Sequence, residues 1–146
     1  MILIWYHYFM SMKLINKDTD YAVRALCNMA NHERDGKEYV ASVTRLVNQL
    51  KVPRAFLRKI LQILDNEGIL VSRKGQGGGF KLARRPEDVY LTNLIEIFQG
   101  RISLNECIFK KKVCPNRGEC VLRQKISEIE KNTLAQLKSI NIAHLI

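Results

Sequence analysis

No stretch of the 146 residues approaches the roughly 20 consecutive apolar residues that a membrane-spanning helix requires, so no membrane span is expected. Acidic residues are scarce: 14 Asp and Glu stand against 24 Lys and Arg, a formal net charge of +10. The natural partner of such a chain is a polyanion, with nucleic acid ahead of phosphate metabolites and anionic lipid surfaces. Histidine is limited to His7, His32 and His144, which stand isolated. No serine or cysteine has a recognisable base, and no paired-carboxylate pocket is suggested, so the chain is not expected to be an enzyme. Its start lacks the basic residues and the small-residue cleavage site of a secretory signal, and a cytoplasmic protein is expected. Residues 1–11 carry neither acid nor base and include Trp5, Tyr6, His7, Tyr8 and Phe9. They differ in character from the rest of the chain, and Met12-Lys13-Leu14 reads as a more natural terminus. The extension is therefore expected to be a start-site artefact or a poorly ordered arm.

Cysteine is also sparse, but three of the four, Cys107, Cys114 and Cys120, fall within residues 107–120 among Lys110, Lys111, Lys112 and Arg117. Soft metals take thiolate ligands, and nearby cations offset the negative charge of a thiolate-bound centre. A bound metal or cluster is the leading reading. Disulfides or a chance grouping are the alternatives, and the missing secretory signal weighs against disulfides. Cys27 lies beside an apolar helical stripe and is expected to be a small buried hydrophobe.

At 47% hydrophobic content the chain is large enough for one ordinary domain with its own core. Tyr21, Ala22, Ala25, Leu26, Met29 and Ala30 recur at helical spacing behind Asp18, Thr19 and Asp20, which can cap a helix. Residues 31–39 read as a loop. Val43, Leu46, Val47 and Leu50 then occupy one face of a second helix. Lys51 and Val52 leave room only for a tight turn, and Pro53 suits the first position of a third helix, whose apolar face is Phe56, Leu57, Ile60, Leu61, Ile63 and Leu64. On its opposite arc Arg54, Ala55, Arg58, Lys59 and Gln62 form an unbroken polar face. A solvated helix face is the bland account. The short helix, tight turn and basic helix together match helix-turn-helix geometry. Arg54, Arg58 and Gln62 suit base edges, because Arg reads guanine and Gln reads adenine in bidentate fashion. Lys51 and Lys59 suit phosphates.

Residues 69–73 and 80–84 read as two strands around Lys74-Gly75-Gln76-Gly77-Gly78-Gly79. A nucleotide-binding loop would need a Lys-Ser/Thr pair, or a third fingerprint glycine where Phe80 stands, and a helix where a strand occurs. A wing fits better, with Arg73, Lys74, Gln76 and Lys81 facing DNA. Residues 91–98 predict a short helix closed by Gly100. From residue 121, Leu122, Ile126, Ile129, Thr133, Leu137 and Ile140 predict one long helix with little of its own chain to cover it. Pairing with a second copy is expected; packing across its own domain is the alternative. The fold class is thus mainly α with a small β-hairpin, divided into an extension (1–11), a winged helix-turn-helix domain (12–100), a cysteine loop (101–120) and a dimerisation helix with tail (121–146).

Over residues 12–141 this order of parts resembles the IscR/NsrR-type family of iron-sulfur winged helix-turn-helix bacterial transcription regulators. Two motifs carry the resemblance. Residues 74–80, Lys-Gly-Gln-Gly-Gly-Gly-Phe, are close to the family wing, and the triple cysteine comes after Leu-Ile-Glu-Ile-Phe-Gln-Gly at residues 94–100. The resemblance implies a homodimer on a near-palindromic operator on double-stranded DNA, with a repressor as the expected sense. It also implies one iron-sulfur cluster per subunit on the three cysteines, whose state alters DNA affinity. The spacing here is Cys-x6-Cys-x5-Cys, which departs from the IscR pattern, and Arg123 stands where that branch places a histidine ligand. Aligning Tyr21-Ala22-Val23-Arg24 with the nitric-oxide-sensing NsrR branch puts Asp20 at the position of its fourth ligand, supplied across the dimer. This favours a 4Fe-4S over a 2Fe-2S cluster. A simple helix cap is the other role for Asp20, with Asp18 and Glu119 as substitute ligands. A zinc-stabilised or thiol-redox DNA-binding regulator without a cluster is the competing class.

Overall fold

The computed structural model describes residues 13–33, 38–103 and 119–146. Asn16 opens the first helix, α1 (Lys17–Glu33). Its Oδ1 accepts the Thr19 N–H at 2.8 Å and its carbonyl accepts the Asp20 N–H at 3.0 Å. The helix thus begins earlier than the sequence pattern suggests. Asp18, Thr19 and Asp20 do not cap it; they form its first turn, where the two carboxylates face the positive end of the helix dipole. Thr19 is buried.

Ser42 caps α2 (Val43–Leu50), its hydroxyl accepting the Arg45 N–H at 3.2 Å. The turn after α2 is made by Lys51, left-handed at φ 55° and ψ 40°, whose N–H returns to the Val47 carbonyl at 2.9 Å. Pro53 sits one place earlier than expected, at the cap of α3 (Arg54–Asn66), where its carbonyl accepts the Leu57 N–H at 3.0 Å. Leu57, Ile60, Leu61 and Leu64 of α3 meet Leu46 of α2 and Ala22, Ala25, Leu26 and Met29 of α1 in one core. Burying each large aliphatic side chain contributes about 1.5–3 kcal/mol.

Strands β1 (Leu70–Arg73) and β2 (Gly79–Leu82) pair antiparallel, from Leu70 opposite Leu82 to Arg73 opposite Gly79. The second strand starts and ends earlier than expected. Beyond it, Arg84 turns back onto the end of α3, donating to the carbonyls of Gly68 at 3.1 Å and Glu67 at 3.2 Å. Ala41 adds a further rung, exchanging both backbone hydrogen bonds with Phe80 at 2.8 and 2.9 Å.

A 3-10 turn at Pro86–Asp88 leads to α4 (Leu91–Gln99), which Gly100 closes at φ 79°. The last helix, α5 (Val121–Lys138), buries only Leu137 fully, against Leu91 and Ile95 of α4. The chain then returns to the main body. The Leu91 N–H donates to the Ile140 carbonyl at 2.9 Å, and the Ile142 N–H to the Val89 carbonyl at 3.0 Å. Ile142, in a final 3-10 turn (Ile142–Leu145), lies in the first core. The result is a mainly helical fold with a two-stranded hairpin. Among the described residues no helix is long and apolar enough to cross a membrane.

Candidate DNA interface and thiol site

The apolar side of α3 is consumed by the core, which leaves Arg54, Ala55, Arg58, Lys59 and Gln62 together on the exposed side, lining one shallow depression. Arg54 is oriented by α2, its guanidinium donating to the Thr44 hydroxyl at 3.0 Å. Lys51 is exposed at the turn. Among the described residues none of Lys51, Arg54, Arg58 and Lys59 has an acidic partner. Their charge is therefore open to an external anion.

The wing is built differently. Lys74 and Gln76 are exposed in the turn between β1 and β2, where Gly75 and Gly77 adopt φ values of 95° and 73° that other L-residues rarely reach. Arg73 and Lys81, at the base, are tied to Glu38. The Lys81 ammonium hydrogen-bonds Glu38 Oε1, and Arg73 Nη1 lies 3.9 Å from its Oε2. The four wing residues thus share one hairpin but differ in charge environment.

Of the expected thiol ligands, Cys120 is half-buried at the cap position of α5 and has no disulfide partner among the described residues. A helix N-terminus favours negative charge, so this is a suitable place for a thiolate–metal unit. Cys107 and Cys114 lie outside the described residues. Among the described residues there is no group of three or more His, Cys, Asp or Glu side chains arranged to hold a metal. Asp20 sits in the first turn of α1, half-exposed, and accepts from Arg24 Nε at 2.8 Å. Asp18 lies in the same turn, and Glu119 is exposed just before Cys120. Arg123 is exposed in the first turn of α5. Cys27 is half-buried against the core, and burial pushes its thiol pKa up.

Three features escaped the sequence pattern. Glu38, in what reads as a polar loop, pairs with residues more than 30 positions away. Tyr39 is sandwiched, stacked on His32 at 4.6 Å with the Arg45 guanidinium 5.2 Å above its ring. This holds a further cation on α2 beside the helix-turn-helix. Gln99 joins α4 to the start of α1: its Oε1 accepts from Asn16 N–H and from the Thr19 hydroxyl, both at 2.8 Å, and its Nε2 donates to the Leu14 carbonyl at 3.2 Å. No local periodicity signals any of these.

The chain is similar to known proteins. The repressor NsrR of Streptomyces coelicolor is 28% identical over 132 residues, covering 90% of this chain and 87% of its own. The regulator NsrR of Bacillus subtilis is 26% identical over 136 residues, covering 92% and 90%. Among solved structures, IscR of T. potens superimposes with a TM-score of 0.69 at 20% identity, covering 94% of this chain and 88% of that one. CymR, described as the global cysteine regulator of B. subtilis, gives 0.75 at 19% identity, covering 92% and 96%. These likenesses establish the winged-helix fold. The family model described as "Rrf2: Iron-dependent Transcriptional regulator" matches residues 15–146. With that match running from just before α1 to the last residue, the chain belongs to the Rrf2 family, whose members are transcriptional regulators and not enzymes.

Proposed function

We propose that the chain is a homodimeric operator-binding regulator in which Arg54, Arg58 and Gln62 read base edges while Lys51, Lys59, Arg73, Lys74, Gln76 and Lys81 hold the DNA backbone. The observation that carries this reading is the exposed cationic face of α3, which has no acidic partner among the described residues. Uncompensated cations on a helix beside a tight turn suit a major groove. In the same proposal, Cys107, Cys114 and Cys120 hold an iron-sulfur cluster, 4Fe-4S in preference to 2Fe-2S, with Asp20 of the partner subunit as fourth ligand.

The donors among the described residues, Cys120 and Asp20, suit such a group. Cys120 is a thiol at a helix N-terminus without a disulfide partner among the described residues, and the Asp20 carboxylate is accessible. Its ion pair with Arg24 is an exposed i,i+4 contact worth about 0.3–0.5 kcal/mol, little to forgo for a ligand bond. When bound, the cluster would supply a centre reactive toward nitric oxide, oxygen or iron loss. The chain's own residues would convert that into a DNA response. Cys120 stands at the cap position of α5, and Asp20 belongs to α1, which packs against α3. A link between them across the dimer would govern how two copies of α3 meet half-sites about 34 Å apart.

A second reading is favoured by the same Asp20–Arg24 pair, which gives the carboxylate a role without any metal: a regulator that uses its cysteines for zinc or for thiol oxidation. Anaerobic purification from Met12 with visible absorption, iron, sulfide and zinc analysis separates the two. Brown protein with matched iron and sulfide is expected. Colourless protein after reconstitution would sink the cluster and, with it, Asp20 as a ligand. Asp20→Ala is expected to reduce both cluster retention and operator affinity, and no change in either would remove its ligand role. For the interface, Arg58→Ala should relax sequence preference and cost about 1–3 kcal/mol on the preferred site. Lys74→Ala should weaken all duplexes equally and flatten the salt slope by about one. Binding titrations on operator and random duplexes check both.

A further inference from the structure

Of the nine residues assigned to the DNA interface, only Arg73 and Lys81 form an ion pair among the described residues, and both do so with the same carboxylate. We propose that Glu38 is an internal counter-ion that competes with DNA phosphate for Lys81 and Arg73 and so restrains non-specific binding by the wing. The inference rests on the DNA-binding reading above.

The carboxylate is held beside the wing by backbone, independently of its ion pairs. Three residues after Glu38, Ala41 exchanges both hydrogen bonds with Phe80, the neighbour of Lys81, and Tyr39 is pinned by His32. Glu38 therefore stays within reach of β2 when a cation leaves it. The pairs themselves are solvent-accessible, with side chains 54% exposed for Glu38, 63% for Arg73 and 35% for Lys81. Exposed pairs of this kind contribute little to folding. Stability thus gives the arrangement little purpose, and phosphate can displace the carboxylate at low cost. The hydrogen bond from Lys81 holds the Glu38 carboxyl below its ordinary pKa range. Glu33 stands near the same group, its own pKa raised by burial and by the Glu38 charge.

The consequence lies in counterion release. A free cation that meets phosphate adds about 0.9 to the slope of log affinity against log salt. A cation already neutralised by Glu38 adds less, because the carboxylate it leaves must take up a cation from solution. Removing the carboxylate should therefore tighten non-specific binding and steepen its salt dependence.

The experiment uses the full chain on a random-sequence 30-base-pair duplex, monitored by fluorescence anisotropy across a sodium chloride series, for wild type, Glu38→Gln, Lys81→Gln and the double substitution. Thermal unfolding of each variant runs alongside. The proposal expects Glu38→Gln to bind on the order of fivefold tighter at low salt, with a slope steeper by up to about one. It further expects an unchanged unfolding midpoint and loss of most of the gain in the double variant. Equal or weaker binding by Glu38→Gln, with wild type still binding, would overturn the counter-ion role and leave the DNA reading intact. A large fall in its unfolding midpoint would also overturn it, since the pair would then be structural. Folded wild type and variants that all fail to bind would overturn the DNA reading as well.

Discussion

Gly79 occupies a place that no other residue fits, because the rung between Ala41 and Phe80 brings two backbones together there. A Cβ on Gly79 would lie 2.2 Å from the Ala41 carbonyl oxygen and 2.7 Å from its carbon. Backbone atoms cannot swing aside as a flexible side chain does, so Gly79→Ala must open the rung and detach the 38–41 segment from the wing. A loss of about 2–4 kcal/mol is expected in denaturant unfolding. Gly77 provides the internal control: its added Cβ would meet open space, and only its φ of 73° opposes substitution, so Gly77→Ala should cost about 1 kcal/mol. Equal costs for the two would show that the close approach at Gly79 is immaterial. Cys27 gives a pH prediction at the same scale. Burial disfavours its thiolate, so its folded pKa lies above the unfolded one and the fold prefers the protonated form. The contribution of Cys27 to stability is therefore present below the ordinary thiol pKa and declines as pH rises through the folded value. Alkylation of Cys27, measured by peptide mass spectrometry near pH 8, should be at least about tenfold slower in the native chain than in urea.

Between elements, Gln99 is the point at which α4 grips the beginning of α1. Gln99→Leu removes three hydrogen bonds and leaves the hydroxyl of buried Thr19 without that partner. A cost of about 1–3 kcal/mol is expected, with faster hydrogen exchange confined to the first turn of α1; unchanged exchange there would show that Asn16 alone holds the turn. The contact also explains which elements could be read in advance. The α2–turn–α3 unit was legible because what announces it is local: a 3.6-residue apolar period, a turn too short for other geometries and a proline at the start of α3. The wing was legible from its glycines, although the rung at Ala41 was not, since it joins residues 39 positions apart. The start of α1 was misplaced because Asp18, Thr19 and Asp20 are all good caps by composition. Asn16 wins through the hydrogen bonds it makes to Thr19 and Gln99. At the candidate site, the exposed row of α3 came from periodicity, whereas the neutralisation of Arg73 and Lys81 by Glu38 depends on the folded path and has no sequence period. Of the cysteine pattern, Cys120 alone falls within the described residues.

For the molecule as a whole, α5 poses an unbalanced packing problem. Its C-terminal end is secured by Leu137 and by the return of the tail to Val89, while Val121, Leu122 and Ile129 are 66%, 67% and 53% exposed. Covering such side chains is worth about 1.5–3 kcal/mol each, and nothing in the described part of the same chain covers them. A second copy would do so with the same surface on both sides, as a two-fold dimer requires. Replacing Leu122 and Ile129 together by Glu should preserve the protomer fold, because both side chains already face solvent there. It should also place like charges where two copies of α5 meet. Light scattering after size exclusion is expected to fall from about twice the 16.9 kDa chain mass to the chain mass itself. Because a palindromic operator needs two copies of α3 at fixed spacing, operator affinity should drop by about 10²-fold or more. Binding to random duplex, which depends on the cations of each protomer, should change much less. A variant that remains dimeric and keeps its operator affinity would assign dimerisation to another surface and leave the exposed row of α5 without this role.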